Sequence, residues 1–179
     1  MGTTTTLVTV QEFLQLPEPE GQRHELIGGE VVDMGSGKVV HEIVKKNLIK
    51  VLVLWLAQRA IAEVFVETMF QLDDNTSLIP DLSVLFPGRA TPGSTGLIQG
   101  APELAIEVVS SETAARLEEK IELYLSNGSR SVWVAYPEQQ VVWIYDSQKA
   151  RKFDRNQTLE DPVVLPGFSA PVSDIFEGI

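Results

Sequence analysis

Asp81, Glu107 and Lys120 are the residues whose types and settings could do chemistry together. Asp81 follows Pro80 and opens the apolar run of IPDLSVLF at 79–86, which reads as a strand, so its carboxylate falls at a strand mouth where the neighbouring backbone is held. Glu107 lies inside PELAIEVVS at 102–110, a strand otherwise nearly all apolar, and strand alternation puts Glu103, Ala105, Glu107 and Val109 on one face. A carboxylate buried there in ionised form costs several kcal/mol unless a cation or a donor meets it. Lys120 belongs to the next helix, whose apolar stripe is Leu117, Ile121, Tyr124 and Leu125; it stands three residues from Leu117 and four from Tyr124, so it borders the buried side. His41 is the fourth candidate, three residues before Val44 and seven before Leu48 on the core-facing stripe of an earlier helix, while Glu42 turns about 100° away from it.

Each of these residues also has a plainer reading. Asp81 fits a turn residue after proline, Glu107 and Lys120 fit a structural buried pair, and His41 fits a satisfied core histidine. Glu25 and Glu30 flank a hairpin and read as solvated, Glu118 and Glu119 as a wet helix face, and Trp133 and Trp143 as packing residues at alternating hairpin positions.

The elements that must position the candidates follow from pattern. Thr9 and Glu12 in TVQE make a capping box, which predicts a short helix to about Leu16, stopped at Pro17. HELIGGEVVDM reads as two short strands around Gly28-Gly29, and GSGK at 35–38 as a flexible link that lacks the spacing and context of a phosphate-binding loop. From about Val40 to Ala60, Val44, Leu48, Val51, Leu52 and Trp55 recur at helical spacing. AEVFVETMFQL reads as one strand, 79–86 as a second, 87–100 as a Gly/Pro/Ser/Thr-rich loop and 102–110 as a third, mostly buried strand. A helix at roughly 112–127, capped by Ser110 or Ser111 and ended at Asn127-Gly128, leads to a hairpin, SVWVAY and VVWIY, at 131–145. The expectation is a single α/β domain over 1–179: an N-terminal helix and hairpin at about 9–34, a core at about 40–145 with a mixed central sheet flanked by helices, and a C-terminal tail at 146–179.

Composition narrows the chemistry. The chain has 179 residues, 44% hydrophobic and 22% charged, enough for a sizeable core. Having no cysteine, it forms neither disulfides nor thiolate metal sites, and its two histidines, His24 and His41, cannot by themselves build a histidine-rich zinc site. A metal site must therefore lean on carboxylates, which favours Mg²⁺ or Mn²⁺. No apolar stretch approaches a membrane span, and MGTTTTLVTVQEF lacks the basic region and long apolar core of a signal peptide, so a cytoplasmic protein is expected. The net charge of −11 runs against the basic surface usual in proteins that hold phosphate backbones, so binding to nucleic acid would need a local basic patch or a metal-filled site.

Pro80-Asp81, a strand carrying Glu107 and then a lysine together resemble the PD-(D/E)XK nuclease signature. The wider string is similar to one bacterial family of proposed restriction endonucleases, the Uma type: HELIGGE, the helix from near His41, PDLSVL, PELAIEVVS, the helix lysine, SVWVAYPEQQVVWIY and the closing LPGF and IF follow in the family's order over about residues 9 to 176. Two positions depart from the pattern. The lysine of the broad superfamily, two residues after the acid, is Val109 here, so Lys120 would supply the amine from the following helix, and His24 stands where tyrosine is usual. The resemblance implies a restriction-endonuclease-like core and a homodimer that hydrolyses DNA phosphodiester bonds. Asp81 and Glu107 would hold Mg²⁺ or Mn²⁺, with a backbone carbonyl of Ala105 or Ile106 adding to the shell, Lys120 would orient water or stabilise charge, and His41 would assist. Two carboxylates so placed repel one another without metal, so at least one should show a raised pKa. A non-catalytic or regulatory binding module retaining the fold is the alternative.

Overall fold

The computed structural model describes residues 7–17, 23–35 and 37–179. Residues 1–6, on which part of the leader reading falls, and Ser36 of the GSGK link lie outside the described residues.

The capping box forms as expected, with the Glu12 N–H donating to Thr9 Oγ1 at 3.3 Å and the Thr9 N–H to Glu12 Oε2 at 2.9 Å. It starts a helix of one turn, α1 (Val10–Phe13), followed by turn residues through Leu16. β1 (His24–Ile27) and β2 (Glu30–Asp33) pair in a hairpin whose turn needs φ of +55° at Gly28 and +82° at Gly29, conformations open to glycine at little steric cost. α2 (Val39–Leu56) carries the expected stripe, burying His41, Val44, Leu48 and Leu52.

The segment read as one strand at 62–72 divides into β3 (Glu63–Val66) and β4 (Phe70–Asp73), which belong to different sheets. The break falls at Glu67, whose φ of +48° turns the chain; its N–H donates to the Asp81 carbonyl at 3.2 Å. β5 (Thr76–Leu78) pairs back on β4, and β6 (Leu82–Leu85) begins immediately after Asp81. The loop read at 87–100 contains a two-residue strand, β7 (Ile98–Gln99), parallel to β4. After β8 (Leu104–Val108) comes α3 (Ala114–Ser126), capped by Thr113 rather than by Ser110 or Ser111: the Arg116 N–H donates to Thr113 Oγ1 at 3.3 Å. β9 (Ser131–Tyr136), β10 (Val141–Asp146) and β11 (Ala150–Asp154) form an antiparallel meander, and β12 (Thr158–Leu159), β13 (Ala170–Pro171) and α4 (Val172–Ile175) complete the chain.

The central sheet has six strands in the order β11-β10-β9-β8-β6-β3. Its strands pair antiparallel except β8 and β9, which run parallel because α3 carries the chain across between them. On one face Val44, Leu48 and Leu52 of α2 pack with Leu104, Ile106, Trp133, Phe168 and Phe176. On the other, Leu117, Ile121 and Tyr124 of α3 cover Ala105, Val132 and Val134, together with Ile27, Phe70 and Leu78 from a second, five-stranded sheet, β2-β1-β5-β4-β7. The fold is thus a mixed α/β arrangement with its central sheet flanked by helices. Trp133 lies in the core and donates from Nε1 to Asp161 Oδ2 at 2.8 Å, whereas Trp143 is half-buried and stacks on Tyr145. Among the described residues, no helix is long and apolar enough to cross a membrane.

Candidate active site

The pairing of β6 with β8 sets the first relationship. Leu82 opposes Ile106 and Ser83 opposes Ala105; carried one residue further, this antiparallel register puts Asp81 across from Glu107. Asp81 is fixed there by the neighbouring strand, since its Oδ2 accepts the Val108 N–H at 2.7 Å. Pro80 has no N–H to offer the ladder, and regular pairing of β6 begins only after it, at Leu82.

His41 reaches the same carboxylate from α2, with Nε2 3.0 Å from Asp81 Oδ1, and its Nδ1 lies 3.0 Å from Glu42 Oε1. Both ring nitrogens thus face carboxylate oxygens, which only accept, and a doubly protonated ring satisfies both at once. Burial works against the charged ring, but Asp81 and then Glu42 outweigh it and raise the His41 pKa. Glu42 also meets Lys45 Nζ at 2.8 Å, Lys45 meets Glu67 at 2.7 Å, and Glu67 meets Arg23 at 2.6 Å. A chain of alternating charges therefore runs from the Asp81 carboxylate to the rim.

Glu107 is enclosed between β8 and α3. Its Oε1 accepts from Tyr124 OH at 2.8 Å and lies 2.8 Å from Lys120 Nζ. Lys120 is 3% exposed; its ammonium also lies 3.3 Å from Glu25 and 3.8 Å from Glu112. Burial pushes the Glu107 carboxyl up; the Lys120 ammonium offsets part of this, while Asp81, Glu25 and Glu112 add to it. The main cause of the raised Glu107 carboxyl is burial, and the repulsion from Asp81 expected from the sequence is a smaller one. Burial disfavours the Lys120 ammonium, yet the surrounding carboxylates prevail and its pKa is raised.

Asp81, Glu107, Lys120 and His41 line one cavity of about 430 Å³. A larger one, about 560 Å³, adjoins it through Ser110 and Glu112 and lies over α3 and the β9–β10 turn; it contains none of the four residues. Three further participants escaped the sequence. Glu25, read as solvated, is 3% exposed and accepts the Ile79 N–H at 2.7 Å. Tyr124, read as part of an apolar stripe, turns its hydroxyl to Glu107, and Glu112 adds a partly buried carboxylate. The one local signal for Glu25 was alternation with Ile27 on a single strand face. As metal donors, Asp81 and Glu107 are adjacent oxygen ligands of the kind hard cations take, and Mg²⁺ commonly completes its shell with water and phosphate. No group of three or more His, Asp or Glu side chains is gathered for metal binding among the described residues.

A mixed sheet flanked by helices, with an aspartate and a glutamate facing one another across two of its strands and a lysine on the next helix, defines a protein of the restriction-endonuclease-like class. The chain belongs to the Uma2 family, described as "Putative restriction endonuclease", whose profile matches residues 10–173. It is similar in structure to a "putative nuclease belonging to DUF820" from Anabaena variabilis ATCC 29413, with a TM-score of 0.82, 26% sequence identity, and coverage of 94% of this chain and 97% of that one. No protein of curated function matches it.

Proposed function

We propose that this protein is a divalent-metal-dependent endonuclease that hydrolyses DNA phosphodiester bonds in the cytoplasm, acting as one restriction-endonuclease-like domain and as a homodimer. The observation that carries the reading is the enclosure of Lys120 against Glu107, across the strand pair from Asp81. Asp81 and Glu107 would hold Mg²⁺ or Mn²⁺. When bound, such a cation supplies a water of lowered pKa and counter-charge for the phosphate.

The chain's own groups have separable tasks. The Val108 N–H and His41 fix the orientation of the Asp81 carboxylate, so that it need not reorganise when substrate arrives. Lys120 presents a cation beside the reacting phosphate, where it would orient the attacking water or stabilise charge on the phosphate oxygens. Tyr124 holds Glu107 Oε1 from below through a hydrogen bond. Two copies of the site would serve the two strands of a duplex; light scattering that finds only monomer while both strands are cut would remove the homodimer from this proposal.

Nicking of supercoiled plasmid in Mg²⁺ or Mn²⁺ tests the reading. Wild type should nick and Glu107→Gln should not; robust cleavage by the Glu107→Gln protein would sink the assignment. A binding module without turnover is the second reading, favoured by the net charge of −11 and by the excess of carboxylates over cations lining the cavity. It requires that no Mn²⁺ binding be detected by calorimetry at millimolar metal.

A further inference from the structure

Glu25 has no part in the chemistry proposed above, yet it is among the most enclosed charged groups in the protein. It comes from β1 of the five-stranded sheet, whereas Glu107 comes from β8 of the six-stranded one. A single oxygen, Glu25 Oε1, accepts the Ile79 N–H at 2.7 Å and lies 3.3 Å from Lys120 Nζ. Ile79 carries the last backbone donor before the turn into Asp81, because Pro80 has none. That oxygen therefore touches both the peptide leading to the first acid and the amine.

Lysine carries its charge on a flexible four-carbon stem, with rotamer entropy to lose when held. Glu107 at 2.8 Å and the more distant Glu112 at 3.8 Å both come from the chain segment 107–112, and by themselves would leave the ammonium room to swing about the Glu107 contact. A carboxylate from a different sheet fixes which side of Glu107 it occupies, and contacts between an ionised donor and an ionised acceptor are among the stronger ones a side chain makes. We propose that Glu25 is a positioning residue: it clamps Lys120 between the two sheets and sets the spacing of the amine from Asp81. The catalytic consequence rests on the nuclease reading; the clamp itself does not.

Glu25→Gln is the informative change, since the amide oxygen keeps an acceptor for the Ile79 N–H while the negative charge facing Lys120 is lost. The variant should fold and melt near wild type. Its kcat for plasmid nicking should fall by about 100-fold, the loss that misplacing a reacting group by an ångström brings, with KM for DNA little changed. In metal-free protein, acetylation of Lys120 followed by mass spectrometry should be several-fold faster than in wild type, with Lys45 unchanged as an internal control. Lys120 labelling that stays at the wild-type rate overturns the clamp, whatever cleavage does. A raised Mg²⁺ requirement with unchanged labelling would make Glu25 a metal ligand and also overturn it. If wild type cleaves nothing but Lys120 labelling rises in the variant, the clamp stands and the nuclease reading fails.

Discussion

The Lys120 ammonium lies 2.8 Å from Glu107 Oε1, and both side chains are closed off from solvent. The pair is not balanced: Glu25 and Glu112 also reach toward that one cation, so negative charge is in surplus around it. The two members therefore differ in what their loss costs. Lys120→Met leaves buried carboxylates with no counter-charge and should destabilise by about 3–5 kcal/mol. Glu107→Gln keeps an acceptor for Tyr124 OH and removes part of the surplus, so its cost should stay within about 1 kcal/mol. Urea denaturation decides, and equal losses in the two variants would mean the surplus has no energetic weight.

Asp81 and His41 should separate in kinetics. Asp81→Asn keeps an oxygen for the Val108 N–H but removes the charge at the strand mouth, and nicking should drop by about 1,000-fold, as when a preorganised electrostatic contact is lost. On the proposed function His41 would act through Asp81, which it contacts at 3.0 Å, so His41→Asn should cost about 10-fold to 100-fold, the range seen when a group orienting a metal ligand is removed. A His41 variant as inactive as the Asp81 variant would place the imidazole on the substrate instead.

How far the site could be read in advance depended on distance along the chain. A carboxylate after proline, another inside an apolar strand and a lysine beside a helical stripe each leave a local mark; those marks single out Asp81, Glu107 and Lys120 as candidates, and the structure brings the three to one cavity. Glu25 carries almost none: whether its strand face is wet depends on α3 folding over it, a contact between distant segments. The same limit hid the bend at Glu67. The run AEVFVETMFQL is β-favouring throughout, and only pairing with Arg23 and Lys45, with the Asp81 carbonyl on the Glu67 N–H, shows why the chain changes sheets there. The mixed sheet itself was legible because alternation and helical spacing are short-range signals.

Glu67 makes a prediction about acid. The Arg23 guanidinium bonded to it lowers its carboxyl to about 2, with Lys45 adding to that and burial opposing. A folded-state value below the ordinary 4.5 means that the unfolded chain binds more protons in this range, so stability rises with pH there. The contribution is complete above the unfolded value and is lost as pH falls from about 4.5 towards 2. With the side chain 27% exposed, solvent screening reduces it to about 2 kcal/mol. Glu67→Gln should flatten the stability profile across that acid range, and an unchanged slope in acid urea melts would disprove it.

The C-terminal segment, which reads from sequence as a tail laid over the domain, contributes to the main core. Leu159, Val164, Leu165, Phe168, Ile175 and Phe176 pack in the same cluster as Trp133 and α2, and Asn47 Nδ2 donates to the carbonyls of Ile175 at 3.1 Å and Glu177 at 2.9 Å. Asp161 is closed to solvent and gives Trp133 Nε1 its acceptor. Each large apolar side chain buried there is worth about 1.5–3 kcal/mol, so removing residues 156–179 takes away more than the whole net stability typical of a domain. The truncated protein should be unfolded by circular dichroism. Asp161→Leu, which leaves the indole N–H buried without a partner, should cost about 1–3 kcal/mol while the fold survives. A truncated chain that melts cooperatively would show instead that the segment is dispensable to the core.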